Sequence, residues 1–202
     1  MTKIKNFRVN LRPREIARWL KKERGLESTP ELELAIGEAV KEAKRWLTPA
    51  AVYTTLTRKT AEKMTTIPLP PEAVALSVTA VSIGKGLQAE RQSAESGSMR
   101  GMLLAALEQE ALSQSLQFTV RLIGEQAEEE DCEMSSPVSV QEAPVASSLA
   151  TLLGVARIGI ELDPSAPEPP PYVRVSYWFW TPAVKGPSRR AEPAGRAEKV
   201  AA

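Results

Sequence analysis

The order of helical and strand patterns in this sequence permits an α+β domain. Two early segments and one long later one carry apolar residues at helical spacing. Between them, residues 73–83 form a nearly continuous apolar run of strand type, and two more strand-like segments lie near the C-terminal end. At 202 residues the chain suits one domain with a real core, since about 100–200 residues is the usual domain size.

The first helix signal opens at Pro13, where the missing N–H costs nothing, and runs through Ile16 and Leu20 to a stop at Gly25. A second begins at Ser28-Thr29-Pro30-Glu31, with a hydroxyl cap, and carries Leu32, Ile36, Ala39, Val40, Ala43 and Leu47 in one stripe before Thr48-Pro49. Residues 51–57 are β-branched and aromatic enough for a strand. Residues 65–71 read as an extended connection broken by three prolines. The run 73–83 is apolar at most positions, as in a strand covered on both faces, and is the candidate central strand. After Gly84-Lys85-Gly86 comes a helical stretch to about Gly97, then a longer one over 98–130 with Met99, Leu103, Ala106, Leu107, Leu112, Leu116, Val120, Ile123 and Ala127 on its stripe. The acidic run 128–131 opposes the helix dipole and predicts fraying there. An irregular loop at 135–143, a helix over 144–153, a short strand at 158–162, a proline-rich connection and a strand over 172–180 complete the domain. The domain is expected to span 1–181. Residues 182–202, rich in Pro, Ala and Arg without apolar periodicity, read as a disordered tail.

Composition excludes several chemistries. Apolar residues are 43% and charged residues 25% of the chain, and no apolar run approaches the roughly 18 residues of a membrane span. Without an export signal a cytoplasmic location is expected. There is no histidine and one cysteine. No internal disulfide, histidine-based serine hydrolase or haem site follows from this chain, and no metal site is expected. Residues 1–63 carry fifteen Lys/Arg against eight acids, and residues 64–163 carry five against fourteen. Segregation of this size is usually a solvated face, so nucleic acid is not the expected partner. Gly84-Lys85-Gly86 between strand and helix has the form of an anion-cradling turn, but the third glycine of a dinucleotide fingerprint is absent. Ser82 and Lys85 have Ser-x-x-Lys spacing, but across a turn rather than on one helix face. Cys132 lies among Glu130, Asp131 and Glu133, which disfavour its thiolate. No catalytic residue is assigned.

Tyr177-Trp178-Phe179-Trp180 holds four of the ten aromatic residues. Alternation sends Trp178 and Trp180 to one face and Tyr177 and Phe179 to the other. One face is core. The tryptophan pair is read either as a partner-docking surface or as a strand face covered by the tail or by a helix.

Taken in order, several segments resemble the activation (reactivation) domain of cobalamin (vitamin B12)-dependent methionine synthase, in particular its shorter stand-alone relatives. Glu15-Ile16-Ala17-Arg18-Trp19-Leu20 is similar to their Glu-Val-x-Arg-Tyr-Leu helix. Residues 47–53 look like the helix-to-strand junction, and residues 74–80 with Ile83-Gly84-Lys85-Gly86-Leu87 like the buried strand and its Thr-Leu-Gly-x-Gly-Leu turn, with a small insertion. Arg157-Ile158-Gly159-Ile160-Glu161-Leu162 resembles an Arg-Ile-Gly-Val-x-Leu strand, and Val175-Ser176 falls where the family has Lys-Ser-Val-Ser-Gly, although Tyr177 replaces the last glycine. The resemblance covers most of residues 7–180 and implies a single domain with a twisted, mostly antiparallel sheet flanked by helices. It also implies binding of S-adenosylmethionine and docking over a cobalamin-binding domain, so that reduced cob(II)alamin is remethylated.

In the family, the ligand contacts centre on Arg-x-x-x-Gly-Tyr, or Ser-Pro-Gly-Tyr in the shorter relatives. Here the loop reads Met134-Ser135-Ser136-Pro137-Val138-Ser139: Ser136 and Pro137 match, Met134 replaces the arginine, Val138 the glycine and Ser139 the tyrosine. Losing the arginine removes a cation for the ligand carboxylate, and a β-branched residue closes the backbone conformations open to glycine. The expected function is therefore an accessory protein of corrinoid-dependent methyl transfer. It docks on a cobalamin-binding protein or corrinoid methyltransferase, binds little S-adenosylmethionine through the degenerate loop of Ser136, Pro137 and Ser139, and meets cobalamin only through that partner. The alternatives are an active S-adenosylmethionine-binding module for reductive reactivation, and a structural or interaction protein that keeps only the fold.

Overall fold

The computed structural model describes residues 1–160, 162, 163 and 165–183. Most of the expected tail, from residue 184 onward, lies outside them. Strand β1 (Thr2–Lys5) is followed by helices α1 (Pro13–Arg24) and α2 (Pro30–Ala43), strand β2 (Ala50–Thr57), helix α3 (Arg58–Met64) and strand β3 (Ala75–Ser82). Helix α4 (Gly86–Ser93) leads to the 31-residue α5 (Met99–Glu129). Short strands β4 (Cys132–Met134) and β5 (Val138–Ser139), helix α6 (Ala143–Leu153) and the long strand β6 (Val173–Pro182) complete the chain. The six strands form one antiparallel sheet in the order β1-β2-β3-β6-β4, with β5 paired to β6 as well. This is the α+β domain with a helix-flanked antiparallel sheet.

Local chemistry accounts for the helix ends. Gly25 closes α1 in the left-handed conformation (φ 67°), its N–H on the Lys21 carbonyl. The Thr29 hydroxyl caps α2 by accepting from the Leu32 N–H at 3.2 Å, and Ser98 caps α5 through the Gly101 N–H in the same way. The acidic end of α5 stops at Glu129, and Asp131, at φ 54°, turns the chain straight into β4.

The run read as the central strand is central: every residue of β3 is buried, with β2 on one side and β6 on the other. Cross-strand partners share a face, so Thr55, Ser77 and Trp178 line up on one side of the sheet, and Trp180 and Arg174 lie on that side too. Arg174 donates to Gln109 of α5 at 3.0 Å, and Met134, opposite Trp180, reaches Gly124 of α5. This is the face that α5 covers. Tyr177 on the other face lines a cleft with Val145 of α6.

Three expectations change. Among the described residues of 158–162 no strand forms: Val155–Ile158 is a 3-10 turn between Gly154 and Gly159, both left-handed (φ 57° and 79°), and Ile158 and Ile160 are buried without a ladder. A short apolar run does not by itself separate strand from turn. The loop read as irregular at 135–143 contains a two-residue strand at Val138–Ser139, and Cys132–Met134 just before it also pairs with β6, so that 132–139 forms an interrupted edge strand. Strand β6 runs past the end expected at 180 through Pro182, and the Ala183 N–H bonds the Asp131 carbonyl at 2.8 Å.

The glycine turn at 84–86 has a packing reason. Gly84 is left-handed (φ 81°) beside the Thr48 side chain, and Gly86 lies so close to Trp46 that a Cβ would strike its backbone carbonyl. Ser82 spends its hydroxyl accepting from the Gly84 N–H at 3.1 Å, and Lys85 Nζ lies 6.0 Å from the Tyr172 ring centroid. Gly86→Ala is therefore expected to cost about 1–3 kcal/mol, the usual range for forced overpacking. Urea denaturation at unchanged m-value checks it, and an unchanged midpoint would show that the α2–β2 junction yields freely.

Candidate functional site

Two open clefts meet along one edge of the α5 face. The first, about 510 Å³, lies between α1 and α5 and is lined by Arg12, Glu15, Arg18, Lys22, Glu110 and Arg174, with Trp19, Gln109 and Gln117 among its other walls. The second, about 340 Å³, lies between α5, the β5 loop and the proline-rich segment before β6; its walls include Gln109, Ser139, Gln141, Glu168 and Arg174. Gln109 and Arg174 belong to both. Volumes of a few hundred Å³ with convergent polar groups suit small-molecule sites.

Most charges at the first cleft are already paired. Arg12 grips Glu110 with Nε to Oε1 at 2.7 Å and Nη2 to Oε2 at 3.3 Å, and its backbone N–H also donates to Oε1. The Glu110 side chain is only 5% exposed, so this fork both compensates a buried carboxylate and ties the segment before α1 to α5. The hydrogen bond to Glu110 raises the Arg12 pKa, which keeps it charged. Arg18 pairs with Glu15 at 2.8 Å. Arg174 differs. Its partner is the neutral Gln109 amide, it has no ion pair among the described residues, and burial lowers its pKa.

The loop residues expected to hold S-adenosylmethionine are partly brought to this site. Ser139 lines the second cleft, its Oγ 3.5 Å from Ser176 Oγ. Ser136 and Pro137 are exposed and line neither cleft. Val138 is extended, paired to Tyr177 and 39% exposed. No residue from 132 to 142 has positive φ. A glycine's freedom is thus absent where the family motif has one, and Met134, in the arginine's place, points under the sheet toward Gly124.

The docking role expected of Trp178 and Trp180 is corrected. They are 0% and 1% exposed, because their face of β6 lies against α5. Their Nε1 groups find no hydrogen-bond partner among the described residues. Tyr177 and Phe179 occupy the other face, partly buried and edge-to-face at 5.4 Å. Tyr177 joins Ile67, Pro68, Val138 and Val145 around a third cleft of about 410 Å³. Sequence reasoning missed Arg174 and Gln109. The signal for Arg174 was available, since period-two alternation puts it on the tryptophan face.

A second buried carboxylate lies away from the clefts. Glu108 is 1% exposed, Arg91 Nη1 approaches its Oε2 at 3.0 Å, and neither oxygen has an aligned hydrogen bond. Burial raises its pKa, with Arg91 pulling the other way. A raised folded-state pKa means that the folded chain holds more protons than the unfolded one between the two values. Stability then falls as pH rises through that window, and the cost is full above it. Glu108→Gln is expected to stabilise the protein near neutral pH, with the advantage shrinking by about pH 4, below the unfolded value. Denaturation at both pH values reads this directly; a destabilised variant at neutral pH would mean that the Arg91 contact outweighs desolvation. For Arg12→Ala, which strands Glu110, a loss of about 1–3 kcal/mol is expected in the same assay, and a loss near zero would make the fork a surface pair.

Among the described residues no helix is long and apolar enough to cross a membrane, and no group of three or more His, Cys, Asp or Glu side chains is placed to hold a metal. No protein-family model matches the chain, and no curated protein matches it. Among solved structures it is similar to the "Crystal Structure of the MetH Reactivation Domain bound to AdoHcy", at 12% identity and a TM-score of 0.56, covering 92% of this chain and 80% of that one. At this identity the likeness is one of fold, and the fold is the activation-domain type that the sequence motifs imply.

Proposed function

We propose that this chain is an accessory protein of corrinoid-dependent methyl transfer, which docks on a cobalamin-binding partner and binds little S-adenosylmethionine of its own. The fold likeness to a reactivation domain supports the corrinoid connection. The observation that carries the second half is the state of the loop: Val138 and Ser139 are paired as a strand to Tyr177 and Ser176, with a β-branched side chain where the family motif has glycine. A ligand approaching that backbone meets a strand whose inner edge is already paired to β6 and a Cβ-branched side chain in place of glycine. Cobalamin, in this reading, belongs to the partner, since the chain offers no histidine to ligate its cobalt.

Two measurements test the proposal. Titration calorimetry with S-adenosylmethionine is expected to show no micromolar binding by the native chain, with a gain in the Val138→Gly, Ser139→Tyr double variant. Micromolar binding by the native chain would replace the docking reading with that of an active S-adenosylmethionine module. Sedimentation of the chain with a cobalamin-loaded corrinoid domain, followed at the visible absorbance of the corrinoid, is expected to show a co-sedimenting complex. Corrinoid absorbance that sediments unchanged would leave a protein that shares only the fold.

A further inference from the structure

A guanidinium partly withdrawn from water without an acid beside it carries a desolvation cost that a neutral side chain would avoid. Arg174 is such a group. It stands in β6 between the buried residues Val173 and Val175, on the face covered by α5. Its Nη2 is held by Gln109 Oε1 at 3.0 Å, and it has no carboxylate within ion-pair distance among the described residues. The neighbouring cations do not share its situation, because Arg12 is neutralised by Glu110 and Arg18 by Glu15. Burial disfavours its charge with nothing opposing the effect. The group nevertheless lines two open clefts, which share it and Gln109 as walls.

We propose that Arg174 is the anchor of a binding site for a small molecule carrying an oxyanion, a carboxylate or a phosphate, in the cleft between α5, the β5 loop and the proline-rich segment before β6. Gln109 fixes one nitrogen of the guanidinium and leaves the rest of the donor fork for two oxygens, the geometry that favours arginine for planar oxyanions. Ser139 and Gln141 add hydroxyl and amide groups on the loop side, while Val173 and Pro169 to Pro171 give a stiff apolar wall opposite. Glu168 also lines the cleft, is exposed, and makes no ion pair with Arg174. It sets a limit on the total negative charge that the site accepts. The cleft shares Ser139 with the loop of the functional reading, but the inference rests on Arg174, which the family's loop motif does not include.

The test uses the full chain, labelled with nitrogen-15, titrated with sodium phosphate and in a second series with sodium acetate, each against sodium chloride at matched ionic strength. The Nε–H signal of Arg174, assigned by its disappearance in Arg174→Gln, and the side-chain amide of Gln109 are expected to shift saturably with at least one of the two anions. Whichever saturates at lower concentration identifies the source as phosphate or carboxylate. Arg174→Gln should weaken binding roughly tenfold or more, read on the Gln109 amide, as expected for loss of a charge-assisted bond. Arg174→Lys, which keeps the charge and the packing but not the fork, should fall between the two. The thermal midpoint of Arg174→Gln should be unchanged or higher, since the variant removes a half-buried charge that no acid compensates. Shifts that stay linear, that chloride reproduces, or that persist in Arg174→Gln would overturn the site. So would a lowered midpoint in both variants without any saturable binding, which would make Arg174 a structural residue. None of these outcomes bears on sedimentation with a corrinoid domain.

Discussion

Strand β6 is hydrogen-bonded along both edges, to the whole of β3 on one side and to β4 and β5 on the other. Its register therefore decides several things together. A slip of one residue would send Arg174, Ser176, Trp178 and Trp180 to the opposite face, removing the indoles from beneath α5 and placing Tyr177 and Phe179 there. The eight pairs with β3, a strand buried along its full length, prevent that slip. The position of the β5 loop follows, because Val138 and Ser139 have nothing to pair with except Tyr177 and Ser176 where β6 has already put them.

The same register explains an uneven interior. The sheet face beneath α5 carries small polar residues, Ser77, Thr79 and Ser176, all buried. Thr79 donates to the Val52 carbonyl at 3.0 Å and Ser77 pairs with Thr55 at 2.7 Å. Across the seam, Ser115 and Thr119 of α5 turn back onto carbonyls one helical turn earlier. Such residues fill little volume, and Trp178 and Trp180 supply the bulk that they lack. An indole burying about 150–250 Å² contributes roughly 4–6 kcal/mol at about 25 cal/mol per Å². An unpaired N–H gives back about 1–3 kcal/mol of that. Burial wins, which is why both indole nitrogens stay in the core without a partner.

How much of this was legible follows from the range of the signals involved. Helices α1, α2, α5 and α6 and strands β2, β3 and β6 carry their own periodicity, caps and stops, so each is readable within its own residues. The elements that escaped depend on a partner distant in sequence. Strand β1 exists because Thr2 to Lys5 pairs with Tyr53 to Ala50. Helix α3 is seven residues with one buried side chain, too short for a stripe. Strands β4 and β5 owe their form to β6, some forty residues later. Helix α4 was read as running to about Gly97 but stops at Ser93. At the candidate site, Ser139 was found through a motif, whereas Arg174 and Gln109 meet only because the sheet brings β6 under α5. The tryptophan pair was correctly sorted by face. Which face α5 covers is a tertiary fact, and no local pattern carries it.

The arrangement also accounts for how a loop can lose its family chemistry while the scaffold persists. The sheet is held chiefly by the eight-residue ladders of β3 with β2 and β6, whereas β5 contributes two paired residues at an exposed edge. Substituting within residues 135–139 therefore changes what the edge presents without reaching the core, and stability places little restraint on those exposed positions. Arg174 is under the opposite constraint. It lies within the main ladder, where a large half-buried cation has an energetic cost that a valine or threonine would avoid, and no acid among the described residues pairs with it. The loop's chemistry is inexpensive to change and the strand's arginine is expensive to keep, so the residue that stability does not explain is the stronger pointer to what this face binds.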